Sequence, residues 1–348
     1  MIVMTSSYKH KSLLPVIIVM LLINSPKIYS QSLDIPVKGY GFSFGNSKNF
    51  SGIRFNFRDH LVEEINGINF TLWRSKENKS AVVNGISIGI FPEAGRLNGI
   101  QIGGLGVVGD DVSGITVGLI GAGSERNLSG ISIGGIGVGA GNSVTGFSIG
   151  LLGVGAGNDV SGISIGGLGA GSGNNCSGIT IGGLGAGAGN DIRGITIGGV
   201  GAGAGNAVEG ITIGGLGAGA GDKITGITIG GLGAGSGNEL TGIAIGGVGV
   251  GAPNIKGLTI GGLTCEAQYF DGVALTLGRV KIKKEGRFTG FGAGALNQIE
   301  GKQTGLSVGI VNYAWKLNGI QIGLINYVRD NPKYLKVLPI LNAHFNSF

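Results

Sequence analysis

Residues 162–177 read GISIGGLGAGSGNNCS, and this sixteen-residue unit repeats through the middle of the chain with little variation. A fixed period of this kind is typical of repeat architectures, in which each unit stacks on its neighbours. Glycines equivalent to the first residue of the unit recur along most of the chain, at Gly52, Gly67, Gly85, Gly99, Gly114, Gly130, Gly146, Gly162, Gly178, Gly194, Gly210, Gly226, Gly242, Gly257, Gly272, Gly290, Gly305 and Gly319. We therefore predict one elongated repeat domain.

Each unit contains two segments in which side chains alternate in character. Gly-Ile-Thr-Ile-Gly alternates apolar with small or polar residues, which is the period of a half-buried strand. Leu-Gly-Ala-Gly-Ala-Gly alternates again, and an Asn follows at a turn position, where its side chain tolerates left-handed backbone angles. We expect Ile163, Ile179, Ile195, Ile211 and Ile227 to point inward as a ladder, with the Ser/Thr side chains beside them pointing outward.

Two architectures accommodate this pattern. The first is an all-β fold, a parallel β-solenoid of about 16-residue rungs, in which identical positions stack about 4.8 Å apart. The alternative is an outer-membrane β-barrel with one strand per repeat, since a membrane strand and its turn fit within one unit. Membrane barrels carry aromatic girdles, whereas residues 99–251 contain Phe147 as their only aromatic residue. Antiparallel neighbours in a barrel would also gain nothing from identical units, so the pattern favours the solenoid.

The two ends of the chain differ from its middle. Residues 1–30 have a basic start, with Lys9 and Lys11, followed by an apolar run, and this pattern predicts a signal peptide. We assign residues 31–66 to an N-terminal cap and first divergent repeat, 67–327 to the repeat domain, and 328–348 to a C-terminal tail. Charged residues such as Arg58 and Asp59 suit a cap, because the open ends of a solenoid must be shielded.

Composition and motifs argue against catalysis and against nucleic-acid binding. The chain has 77 Gly, 13% charged residues and a net charge of +6, which falls to about +3 without residues 1–30 and forms no basic patch. The runs of glycine resemble calcium-binding nonapeptides, but glycines such as Gly171 and Gly187 stand where those repeats carry the liganding Asp. We predict a non-enzymatic protein with no cofactor, no metal ion and no catalytic residues.

The candidate binding site is the Ser/Thr column, which we expect on the surface. Thr180, Thr196, Thr212 and Thr228 are its central members. Hydroxyls stacked at strand spacing are similar to those of ice-binding solenoids, which gives ice binding as a distant alternative function. Threonine also favours strands for reasons of conformation alone.

Two resemblances bear on function. Units such as 305–312, which read GLSVGIVN, and 319–326, which read GIQIGLIN, resemble a bacterial surface-repeat family whose unit is Gly-Leu-Gln-Ile-Gly-Leu-Val-Asn. The central units, with Ala244-Ile245-Gly246, are similar to the heads of trimeric autotransporter adhesins. The resemblance implies an exported protein of the bacterial cell surface or outer membrane. The family implies no particular biochemical activity, and we predict a surface scaffold or adhesin whose partner is a surface ligand or another copy of itself. The barrel alternative implies membrane association and a channel or transport role.

Overall fold

The computed structural model describes residues 32–345, so the predicted signal peptide lies outside the described residues. The N-terminal strands are β1 (Ser32–Val37), β2 (Tyr40–Gly45), β3 (Asn49–His60), β4 (Glu64–Lys76), β5 (Val82–Gly89), β6 (Glu93–Gly103), β7 (Gly106–Gly118) and β8 (Gly121–Gly134). The C-terminal elements are β25 (Thr264–Thr276), β26 (Arg279–Ala293), β27 (Leu296–Val308), β28 (Val311–Val328), a 3₁₀ turn (Lys333–Leu335) and β29 (Val337–His344).

Short and long strands alternate in the central turns. The short strands are β9 (Gly137–Ala140), β11 (Gly153–Ala156), β13 (Gly169–Ser172), β15 (Gly185–Ala188), β17 (Gly201–Ala204), β19 (Gly217–Ala220), β21 (Gly233–Ser236) and β23 (Gly249–Gly251). The longer strands, of eight residues, are β10 (Ser143–Gly150), β12 (Asp159–Gly166), β14 (Asn175–Gly182), β16 (Asp191–Gly198), β18 (Ala207–Gly214), β20 (Lys223–Gly230), β22 (Glu239–Gly246) and β24 (Asn254–Gly261).

Strands stack in parallel, one turn above the next. Ile195 pairs with Ile211 and Thr196 with Thr212, each sixteen residues further along the chain. Parallel pairing runs from β2 to β28, with register shifts in several of the outer turns, and builds about 17 turns. The predicted parallel β-solenoid is therefore confirmed. The barrel alternative is wrong, because it requires antiparallel neighbours.

Each central turn has three sides, which the β16–β17 turn illustrates. Residues 191–193 form side C, residues 195–198 form side A, and β17 forms side B. Gly194 is the corner between sides C and A, and bends at residues 199–200 and 205–206 make the other two corners. A side of only three or four residues leaves a narrow interior.

The repeating corner glycine has a backbone reason at every turn. From Gly52 to Gly319 its φ lies between 96° and 153°, a region that favours glycine. A Cβ at any of these positions would lie 2.0–2.3 Å from the carbonyl oxygen of the corresponding glycine one turn earlier. The glycine that marks the repeat in the sequence is thus the residue that lets the strand bend.

The predicted direction of the side A side chains is wrong. Ile163 is 38% exposed, whereas Thr196 is 1% exposed, so isoleucine points outward and Ser/Thr points inward. The interior accepts only small groups on this side, because a Cβ at buried Gly198 would lie 1.9 Å from the oxygen of Gly201. The interior next to side A holds one column of threonine but has no space for two columns of isoleucine. The small interior volume therefore overrides the usual preference for apolar side chains inside.

The core combines one aliphatic column with small and polar ones. Val208 and its equivalents supply the large buried side chains from side C, and Ala202 faces them from side B. Towards the C terminus, buried Asn297, Asn312 and Asn326 replace the alanine column. Each amide donates to the next across 2.7 Å. Buried amides in such a ladder bond one another and fix the stacking register, while the Oδ1 of Asn297, the first amide, has no partner in the structure.

Both ends of the solenoid are closed by an antiparallel strand. β1 pairs with β2 at one end, and β29 pairs with β28 at the other. Each capping strand contains a proline, Pro36 or Pro339, which cannot donate a ladder hydrogen bond. Just inside the first cap, buried Arg54 donates to Asp59 at 2.5 Å and to Asn69 at 2.7 Å. The capping strands and their prolines discourage pairing with further strands at either end.

Candidate functional site: an isoleucine face

The hydroxyl column proposed as a binding site is not on the surface. Thr180, Thr196, Thr212 and Thr228 are each at most 1% exposed. The Oγ1 atoms of Thr212 and Thr228 have no hydrogen-bond partner in the structure. A buried column cannot meet ice or another surface ligand, so the prediction of a surface-binding threonine column is wrong, for the packing reason given above.

The isoleucines that flank this column form the outer surface of side A. We call it the isoleucine face, and it consists of two columns defined by strand register. The first column is Ile35, Phe42, Ile53, Ile68, Ile86, Ile100, Ile115, Ile131, Phe147, Ile163, Ile179, Ile195, Ile211, Ile227, Ile243, Leu258, Val273, Phe291, Leu306, Ile320 and Ala343.

The second column lies two residues further along each parallel strand, and two residues earlier in the antiparallel strands β1 and β29. It is Leu33, Phe44, Phe55, Phe70, Ile88, Ile102, Val117, Ile133, Ile149, Ile165, Ile181, Ile197, Ile213, Ile229, Ile245, Ile260, Leu275, Ala293, Val308, Ile322 and Leu341. Every position in both columns is apolar, from β1 to β29. The inward column between them carries mainly Ser, Thr, Gln, Asn, Asp and Arg, with Ala244, Ala274 and Gly292 as the exceptions. This sheet is therefore more strictly apolar outside than inside.

Aromatic rings occupy the N-terminal end of the isoleucine face. Phe44, Phe55 and Phe70 stack in successive turns, with ring centroids 5.5 and 4.9 Å apart. Beside them, Phe57 and Leu72 help to line a shallow apolar cleft of about 690 Å³. The cleft continues the isoleucine face rather than forming a separate site.

The corner next to side A adds a third apolar column. Leu168, Leu184, Val200, Leu216 and Leu232 project there, each about half exposed. The exposed apolar surface therefore wraps around this corner. Patches of this extent on soluble proteins mark interaction surfaces.

Side B presents almost no side chains to the outside. Gly201 and Gly203 point outward in β17, while Ala202 is buried and Ala204 packs against the core. A Cβ at Gly201 would meet nothing closer than the oxygen of Gly217 at 3.8 Å, an ordinary contact. The fold therefore leaves room for a methyl group at this position, which nevertheless carries none.

Side C is polar and carries charges of both signs. The Arg193 Nε lies 3.5 Å from Glu209, and the Lys256 Nζ lies 3.2 Å from Glu239. Exposed pairs of this kind contribute at most about 1 kcal/mol. These charged pairs keep side C solvated. The three sides of the solenoid therefore differ in chemistry, with side A apolar, side B nearly without outward side chains and side C polar.

Metal-binding and nucleophilic side chains are the other candidates for a functional site. Within residues 32–345 no group of three His, Cys, Asp or Glu side chains is placed to hold a metal ion. Cys176 and Cys265 are free thiols, and burial raises the pKa of both. Raised pKa values disfavour the reactive thiolate, so neither cysteine has the environment of a nucleophile.

Among the described residues, no helix is long and apolar enough to cross a membrane. No family model, curated protein or solved structure matches this chain. The isoleucine face is therefore the candidate functional site. Sequence reasoning found its residues but placed them in the core, because alternation alone does not say which face of a strand is buried.

Proposed function

We propose that this protein is an exported, non-enzymatic rod of the bacterial cell envelope that acts as a surface scaffold or adhesin. The observation that carries the proposal is the unbroken apolar face along a solenoid of about 17 turns. At about 4.8 Å per turn the rod is about 80 Å long. Such a rod presents one chemical surface many times over, which suits adhesion and assembly better than catalysis.

The ends and the first thirty residues support the same function. Capping strands that discourage end-to-end pairing keep the rod from growing into a fibre, which is compatible with a scaffold of defined length. The signal-like segment 1–30 would direct the chain out of the cytoplasm.

Export is tested by fusing residues 1–30 to a reporter enzyme that becomes active only after crossing the inner membrane. We expect reporter activity from the native segment. The matched control carries Leu21→Arg and Leu22→Arg, which interrupt the apolar run and should abolish activity. An inactive native fusion, or an equally active control, would show that the segment does not drive export.

Surface display is tested with two cysteine variants of one turn, each made in a chain in which Cys176→Val and Cys265→Val remove the native thiols. Thr145 is exposed on side C, and Ser148 is buried on side A. A maleimide that cannot cross membranes should label Thr145→Cys on intact cells, whereas Ser148→Cys should stay unlabelled until the protein is unfolded. Labelling of Thr145→Cys only after lysis would place the protein inside the cell and overturn the proposed function.

A further inference from the structure

The isoleucine face is an exposed sheet surface that nothing within residues 32–345 covers. Its two columns contain no polar residue over the whole rod, although Ile131 and Ile133 are each about two-fifths exposed. The inward positions of the same strands are held by polar or small side chains in turn after turn. A sheet whose outer side is more strictly apolar than its inner side indicates that something packs on the outer side.

We propose that the isoleucine face of one copy packs against the isoleucine face of a second copy, giving a two-fold symmetric dimer of two solenoids. The inference uses the same face as the proposed function and deepens its scaffold form, because a face covered by a second copy cannot also adhere to another surface. The oligomeric state tests it independently of export and surface display. In such a dimer the same surface serves both partners, and association closes at two copies.

The first argument is area. Two columns about 6.6 Å apart make a strip about 13 Å wide, and the strip is about 80 Å long. Face-to-face contact would bury about 1,000 Å² on each copy, or about 2,000 Å² in total, which reaches the range of permanent dimers. A smaller partner, such as a single peptide strand, would leave most of the face uncovered.

The second argument is periodicity. Rows of isoleucine recur once per turn, about every 4.8 Å, and only a partner with the same spacing can place a side chain in every gap between rows. A second copy has that spacing by construction. The spacing is also constant over the central turns, since Ile179, Ile195 and Ile211 pair with one another at intervals of sixteen residues.

The third argument concerns the surroundings of the face. Side C borders it with mixed charges, such as Arg193 and Glu209, which suit the polar rim of an interface. The capping strands β1 and β29 discourage pairing through the open ends. Lateral packing through side A is therefore the route to association that the fold leaves open.

The test is sedimentation equilibrium of the purified full chain, whose monomer mass is 34.8 kDa. We expect a mass of about twice that value at micromolar concentration. The disrupting variant carries Ile165→Lys and Ile229→Lys, two outward positions on the isoleucine face. Because each dimer would then bury four unpaired ammonium groups, we expect its dissociation constant to rise at least about a hundredfold.

The matched control carries Ser161→Lys and Thr225→Lys, which add the same charges to the same two turns but on side C. It should remain dimeric, and circular dichroism should show that both variants keep the strand content of the native chain. A native chain that sediments as a monomer would overturn the proposal. A native monomer that co-sediments with phosphatidylglycerol vesicles would instead assign the face to lipid, and a trimer would overturn the two-fold packing.

Discussion

The corner glycine offers the sharpest test of the fold, because the same chain supplies a matched control seven residues away. Gly194 has a φ of +117°, and a Cβ there would lie 2.2 Å from the oxygen of Gly178. Gly201 lies on side B with no positive φ, and a Cβ there would meet the oxygen of Gly217 at 3.8 Å. Comparing substitutions at the two positions therefore separates the effects of backbone strain and close packing at Gly194 from the general effect of replacing a glycine.

We expect Gly194→Ala to destabilise the protein and Gly201→Ala to stabilise it. At Gly194 the unfavourable backbone conformation costs about 1–3 kcal/mol, and forcing the stacked turns apart costs about 1–3 kcal/mol more. At Gly201 alanine restricts the unfolded chain and should contribute about 0.5–1 kcal/mol of stability. The two variants should thus differ in sign as well as in size.

The assay is urea unfolding followed by far-ultraviolet circular dichroism, with all three proteins measured together. The quantity compared is the midpoint concentration, since a solenoid can unfold turn by turn and a two-state free energy is then not defined. Gly194→Ala should lower the midpoint and Gly201→Ala should raise it slightly. Shifts of the same sign and similar size would refute the assignment of Gly194 as a strained corner.

Three further predictions concern the interior. Thr228→Val removes a buried hydroxyl that has no hydrogen-bond partner, a change that should stabilise the fold by about 1 kcal/mol and so raise the urea midpoint. A lowered midpoint would contradict this prediction. Asn312→Ala should cost about 2–4 kcal/mol, because the Asn312 amide bonds both neighbours in the ladder; an unchanged midpoint would argue against the ladder. Finally, burial raises the pKa of Cys176 and Cys265. A thiol reagent at pH 8 should therefore react with neither cysteine until urea unfolds the chain. Rapid reaction of the native protein would show that the thiols are accessible.

Much of the fold could be predicted because it depends on local backbone rules. The sixteen-residue period, the strand alternation and the glycine at each corner are visible in the sequence, and they indicate parallel stacking of equal turns. The candidate site could not be predicted in the same way. Ile195 and Thr196 alternate along one strand, and alternation defines two faces without saying which of them is inside.

The sequence by itself therefore determined the period, the parallel stack and the positions where the chain must bend. Only the tertiary structure decided that threonine lies inside and isoleucine outside. The reason is volume, since the space between sides A and B has no room for a methyl group at Gly198 and none for two columns of isoleucine. Closure of a narrow three-sided turn thus left the isoleucines on the surface and created an apolar face that the sequence pattern had suggested was core.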